Sequence, residues 1–368
     1  MEGKSVYLCR MFISSYFPKP MNIFTFGIKA LISSAIVVAT ACSDEKPSIP
    51  SAPDSADPAP ETTFAKGADV SWLTKLESEG YKFFTTSGKQ KELMSLLRDD
   101  CGVNAIRLRV WVNPVDGWNG IDDVMVKARR AKALGLRLMI DFHLSDTWAD
   151  PGHQSTPAAW SSLTLQELEK AVDAHISEML TRLKAEDISA EWVQVGNETT
   201  QGMLWPVGRD SNPYNFAGLV NAGYDAVKKV MPEAKVIVHI DKGNDLWRYD
   251  HILGILNTNG GKYDMVGMSL YPEESTWIKD VDDMVANIHT IHTRYNKSVM
   301  LCEVGMRYNL PTATEAMIAR IRTSTEHLGY MEGIFYWEPE APAGYNGGYD
   351  KGCFVNGTPT SALNSFKN

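Results

Sequence analysis

Two glutamates stand where short apolar runs stop: Glu198 follows Val195-Gly196-Asn197, and Glu303 closes Val299-Met300-Leu301-Cys302. A pair of carboxyl groups can split a glycosidic bond with retention. One, held protonated, gives its hydrogen to the departing oxygen while the other attacks the anomeric carbon, and the two must lie about 5 to 5.5 Å apart. Closeness also sorts them, because a neighbouring negative charge makes ionisation of the second group more costly. Glu198 is read as the acid/base and Glu303 as the nucleophile. A lone strand-end glutamate is more often a salt-bridged structural group, so the weight lies on the pair.

Other side chains with suitable chemistry sit at the ends of similar runs. Arg107 and Arg109 share one side of Ala105–Val110, and a charged group inside a fold needs a carboxylate partner. Glu303 is the expected partner of at least one of them. Tyr271 is placed to hydrogen-bond the same carboxylate, with core packing as its plainer role. Asp141, His143 and His239 also end runs, where they offer hydrogen bonds to sugar hydroxyls or serve as structural polar groups. Trp337 follows Phe335-Tyr336, and Trp118, Trp148 and Trp205 fall in loops. Exposed indole faces there would stack on sugar rings, although aromatics are also common in cores. No histidine pair has metal-ligand spacing, and the chemistry needs no cofactor.

These residues must be brought together by the elements that carry them. From Phe64 onward, short β-branched runs alternate with longer helical patterns, as in βαβ units around a parallel sheet. The runs are Phe64–Asp69, Ala105–Val110, Arg137–Phe142, Trp192–Gly196, Val236–Ile240, Met265–Ser269, Val299–Glu303 and Gly333–Tyr336. Helices are expected at Lys89–Arg98, Asp122–Leu134, Leu165–Lys184, Tyr214–Val230, His251–Leu256, Val281–Tyr295 and Thr314–Leu328, with a short one near Ser361. Gly135 suits the left-handed position after a helix, and Thr164 with Glu167 forms a capping box. Eight such alternations fit an α/β fold of the (β/α)8 TIM-barrel type, whose active sites lie at the C-terminal ends of the strands. A doubly wound open sheet is the competitor, disfavoured because no strand leads into a Gly-rich phosphate loop.

The 368-residue chain has a formal net charge of -9 and no Lys/Arg cluster, which excludes a nucleic-acid partner. Ala30–Ala41 is a short apolar run after Lys29, too short to span a bilayer comfortably and typical of an export signal. Met21 directly precedes a signal of ordinary proportions and is a candidate start. Ala39-Thr40-Ala41-Cys42 resembles a bacterial lipobox, with Cys42 as lipid anchor and a plain cleavage site as the alternative. The expected organisation is therefore 1–42 signal, 43–63 flexible linker rich in Pro, Ser, Ala and acidic residues, and 64–368 catalytic barrel. Location is expected to be exported and lipid-anchored at a bacterial outer membrane, with membrane contact only through the anchor and the barrel monomeric. Cys101, Cys302 and Cys353 form neither a zinc pattern nor a disulfide framework.

Several segments together resemble glycoside hydrolase family 53, the endo-β-1,4-galactanases. They are Gly67-Ala68-Asp69-Val70-Ser71, Ile106 to Pro114, Asp141-Phe142-His143, Ser145 to Gly152, and Gly196-Asn197-Glu198 with Leu204-Trp205-Pro206. The resemblance runs from about Phe64 to Trp337. It implies a retaining (β/α)8 enzyme acting on β-1,4-galactan of type I arabinogalactan, with Glu198 and Glu303 at the family's acid/base and nucleophile positions. It also implies sugar contacts near Asp146, Trp148, Asn197, His239 and Trp337. From the residues alone, mannan, xylan or cellulose would fit equally, and a surface glycan-binding barrel without chemistry remains the non-enzyme alternative. The resemblance also brings in a structural calcium that some bacterial relatives carry between late loops. Here Asp280, Asp282 and Asp283 read as N-terminal helix charges, and calcium stays open.

Overall fold

A computed structural model describes residues 63–367. The signal, Cys42 and nearly all of the linker lie outside the described residues. Eight parallel strands, paired in chain order, close into a barrel. They are β1 (Ala65–Asp69), β2 (Ala105–Val110), β3 (Arg137–Phe142), β4 (Trp192–Val195), β5 (Lys235–Ile240), β6 (Met265–Leu270), β7 (Ser298–Val304) and β8 (Met331–Trp337). Closure is made by β1 against β8, from Ala65 opposite Gly333 to Asp69 opposite Trp337. Helices α1 (Leu73–Ser78), α2 (Leu93–Cys101), α3 (Ile121–Ala133), α4 (Leu165–Ala185), α5 (Pro213–Val230), α6 (Leu246–Thr258), α7 (Trp277–Tyr295) and α8 (Pro311–Thr325) surround it.

The expected TIM barrel is what forms, and the strand runs match to within two residues at each end. The helix bounds shift more. The helix expected at His251–Leu256 begins five residues earlier, at Leu246, and the one expected from Lys89 starts at Leu93, where the Glu92 carboxylate caps Met94 and Ser95 N–H. The short α1 went unread. Gly135 takes φ +68° after α3, and the Thr164/Glu167 capping box opens α4. The final segment, Ser361–Phe366, is a 3-10 turn.

Strands buried on both faces read as near-continuous apolar runs because one face packs on helices and the other fills the barrel. The inner face is stratified. Its lower layer is Ala65, Ala105, Met139, Trp192, Ile237, Met265, Met300, Cys302 and Phe335, all at most 1 % exposed. Gly67 is required there, since a Cβ would fall 2.2 Å from Cδ1 of Phe335. Side chains point inward at every second position, so two or four residues further on, the strands present Asp69, Arg107, Arg109, Asp141, Gln194, His239 and Ser269. Strict alternation from Met300 and Cys302 would turn Glu303 outward. The ladder slips instead, pairing Met268 with Leu301 but Ser269 with Glu303, and this irregularity brings Glu303 to the interior. At the other end, the first described residue is held by Arg137, whose Nη1 donates to the Thr63 carbonyl beside the strand starts.

Trp192 anchors the lower layer: it is fully buried, its Nε1 donates to Glu332 Oε2 at 2.9 Å, and Arg137 lies 4.5 Å over its ring. Trp192→Ala should cost about 3–5 kcal/mol of stability, read as a lower denaturation midpoint in guanidinium; an unmoved midpoint would show that the layer repacks.

Candidate active site

Glu198 and Glu303 line one cavity of about 420 Å³, together with His143, Trp148, Ala149, Asp150, Asn197, Tyr271, Trp337, Tyr349 and Lys351. A larger cavity, about 660 Å³, is formed by residues at the starts of β3 and β4 such as Arg137, Leu138 and Glu191, and by Met231 and Pro232. It lacks any such buried carboxyl pair, so the smaller cavity holds the chemistry.

Beneath its floor lies one guanidinium. Arg107, fully buried, reaches Asp69 Oδ2 at 2.7 Å, Asp141 Oδ2 at 2.8 Å and Glu303 Oε1 at 2.9 Å. Its Nη2 also donates to Gln194 Oε1 at 3.1 Å and to Asn197 Oδ1 at 3.0 Å. A single Arg thus spans β1, β3, β4 and β7. Burial works against ionised Asp141, yet Arg107 and His143 outweigh it and hold the carboxyl below its ordinary range. His143 Nδ1 accepts from Trp111 Nε1 at 3.3 Å and Ala149 N at 3.2 Å. Its hydrogen is therefore on Nε2, 3.0 Å from Asp141 Oδ2.

The two glutamates meet unlike surroundings. Glu198 follows Gly196 at φ +80° and itself sits at φ +45°, a turn that lifts its side chain out of the strand. Its Oε1 contacts Ser269 Oγ at 2.7 Å. Burial, then the charge of Glu303, pushes its carboxyl far above the usual range. Burial raises Glu303 as well, but Arg107 and the Tyr271 hydroxyl, which donates to Oε2 at 2.7 Å, pull it back. Glu303 is the first of the two to ionise.

Aromatic rings wall the cavity. Trp148 lies 5.9 Å from Trp337, which lies 5.1 Å from Tyr349 and 6.3 Å from Tyr271. Arg109 supports this wall from below rather than bonding Glu303: its guanidinium is 4.3 Å from the Trp148 ring, and Nη1 is 3.1 Å from Glu338 Oε1. Burial drives the Glu338 carboxyl up to about 8.

Of the candidate binding residues, His143, Trp148, Asn197, Tyr271 and Trp337 line the cavity. Arg107, Asp141 and His239 do not. They are fully buried one layer below, Arg107 paired with Asp141 and His239 facing Asn197 and Ser269, so their effect reaches a ligand only through the residues above. Asp146 is also re-placed: Oδ1 accepts from Asn113 N at 3.0 Å and Oδ2 from Ala158 N at 2.8 Å, tying together the loops after β2 and β3. It lines a neighbouring hollow with Trp118 and Trp148. Trp205 stacks under Arg209 away from the cavity. Ser269, Asp150, Tyr349 and Lys351 were missed. Asp150 was legible as part of the Ser145–Gly152 segment, and the glycine-rich loop from Ala341 to Asn356 carries Tyr349 and Lys351. Asp280 and Asp282 are occupied within the protein, by Asn244 and Thr276 and by Arg320.

Comparison with known proteins bears on this geometry. The sequence pattern of Glycosyl hydrolase family 53 matches residues 65–364. An arabinogalactan endo-β-1,4-galactanase of Humicola insolens is 34% identical over 297 residues, 74% of this chain and 89% of that one. A solved fungal β-1,4-galactanase superposes with a TM-score of 0.76 at 31% identity, covering 82% of this chain and 98% of the other. The family 53 catalytic domain of Ignisphaera aggregans gives 0.74 at 28% identity, covering 84% and 98%.

Because the Tyr271 hydroxyl favours ionised Glu303, Tyr271→Phe should raise the Glu303 titration by about 1 pH unit. Carbon NMR of protein labelled at glutamate carboxyls reads this directly; an unchanged titration would assign Tyr271 to packing alone.

Proposed function

The chain belongs to glycosyl hydrolase family 53, and from that premise we propose that it is an endo-acting, retaining β-1,4-galactanase using Glu198 as acid/base and Glu303 as nucleophile. The observation that carries this is the unequal pair in one cavity: a carboxyl kept protonated by burial and a neighbouring charge, beside one held by Arg107 and Tyr271. That division of labour is what double displacement needs.

With a galactosyl unit over the floor, Glu198 gives its hydrogen to the glycosidic oxygen as Glu303 attacks the anomeric carbon from the opposite face, forming a glycosyl ester and releasing the shortened polymer. The charge Glu303 loses is the charge that had raised Glu198. Glu198, now ionised, removes a proton from water, which attacks the ester and restores both groups. Trp337 and Trp148 offer faces to the apolar side of a pyranose, and His143 and Asn197 stand among the lining residues as hydrogen-bonding groups. The substrate is galactan because the relatives so named share the fold and align over nearly the whole barrel at 34% and 31% identity. Export and lipid attachment at Cys42 belong to the same proposal: they rest on the Ala39-Thr40-Ala41-Cys42 pattern and place the enzyme where polymer is met.

Two experiments test these statements. Glu303→Ala should abolish hydrolysis of galactan, and with azide and an activated aryl galactoside it should yield the inverted glycosyl azide, while Glu198→Ala should keep the first step on good leaving groups and lose galactan; wild-type-like turnover in either variant removes that residue from its role. Cys42→Ala should move the protein from the membrane to the soluble fraction, and unchanged fractionation ends the lipoprotein proposal.

A further inference from the structure

Ser269 stands between an acid and a histidine. Its Oγ is 2.7 Å from Glu198 Oε1 and 2.8 Å from His239 Nε2, and a serine hydroxyl has one hydrogen to give. Which neighbour receives it is decided on the far side of the imidazole. His239 Nδ1 lies 2.9 Å from Asn197 Oδ1. That atom is fixed as the oxygen, because Asn197 Nδ2 donates to the Ala149 carbonyl at 2.7 Å while Oδ1 accepts from Arg107 Nη2 at 3.0 Å. An acceptor facing Nδ1 at that range calls for a hydrogen on Nδ1.

The competing donor is Gln194 Nε2, 3.0 Å from the same nitrogen. Its two hydrogens have other acceptors within reach, Asp141 Oδ1 at 2.6 Å, Asn197 Oδ1 at 3.0 Å and the Gly196 carbonyl at 3.1 Å. The Glu198 backbone N–H approaches only to 3.4 Å, beyond the usual range. A second hydrogen on the ring would make an imidazolium, which burial and the adjacent Arg107 oppose. With the ring hydrogen on Nδ1, Nε2 presents a lone pair to the Ser269 hydroxyl.

We propose that Ser269 and His239 are a positioning pair that holds Glu198 in its acid form. With the serine hydrogen committed to His239, Oγ has only lone pairs to offer Glu198, and the contact is completed when the carboxyl supplies a hydrogen of its own. The chain Glu198–Ser269–His239–Asn197 has three contacts and three hydrogens when Glu198 is protonated, and two hydrogens when it is not. Ionised, Glu198 draws the serine hydrogen away and leaves two lone pairs facing each other. The pair thus loads the acid before bond cleavage and favours the recovery of a proton from water afterwards.

Among the described residues, Ser269 is the hydrogen-bond partner of the Glu198 carboxyl. The charges facing Glu198 from other elements are Glu303 on β7, Asp241 after β5 and Asp150 after β3, with Lys351 as the cation among the cavity residues. His239 is faced by Arg107, Asp141 and His143.

The proposal rests on Glu198 being the acid/base. His239→Phe removes the lone pair that claims the serine hydrogen and frees it for the carboxylate, so the alkaline limb of kcat/KM on β-1,4-galactan should move to lower pH by about one unit. His239→Gln, which can return an acceptor oxygen to Ser269, should restore the limb, and on a Ser269→Ala background the effect of His239→Phe should vanish. A limb that stays in place, moves upward, or moves equally with and without Ser269 overturns the proposal. Nitrogen NMR of the labelled wild-type protein tests it without any substitution: a hydrogen on Nδ1 with Nε2 bare is expected, and a hydrogen on Nε2 overturns it. Failure of the underlying reading would show elsewhere, as an alkaline limb that persists in Glu198→Ala.

Discussion

The site depends on a single buried cation. Among the described residues, Arg107 is the one group touching Asp69, Asp141 and Glu303 at once, and without it three carboxylates would crowd a water-poor interior. Removing one partner of a buried ion pair leaves an uncompensated charge, a loss of several kcal/mol. The strands are therefore fastened at their catalytic ends by electrostatics and at their starts by apolar packing around Trp192. Neither layer can be exchanged for the other, because the upper one must stay polar to govern the carboxyls above it.

From that centre the asymmetry of the two glutamates follows. Glu303 sits on the arginine and a tyrosine hydroxyl, whereas Glu198 meets a buried serine hydroxyl that His239 also contacts. One environment rewards the charged form and the other the neutral form. The walls are fixed separately: Asp146 spends both oxygens joining the loops after β2 and β3, and Arg109 supports the tryptophans from underneath.

The barrel was legible because its strands are buried on both sides and its helices carry caps, so that apolar runs, Gly135 and Thr164 mark boundaries in local chemistry alone. The glutamates were legible as residues that end such runs. Depth was not. Arg107, Asp141 and His239 look like ligand-facing groups in sequence because polarity within a strand signals importance without saying which layer it serves. Glu303 reaches the interior only through a slip in the β6–β7 ladder, which no parity count on one strand reveals. Ser269 escaped notice because its significance comes from two partners, 71 and 30 residues away in sequence.

The chain joins the barrel beside the strand starts, where Arg137 grips Thr63, and the carboxyls open at the other end. A label coupled at Thr63 would thus sit at the opposite end of the strands from the carboxyls and leave the cavity open.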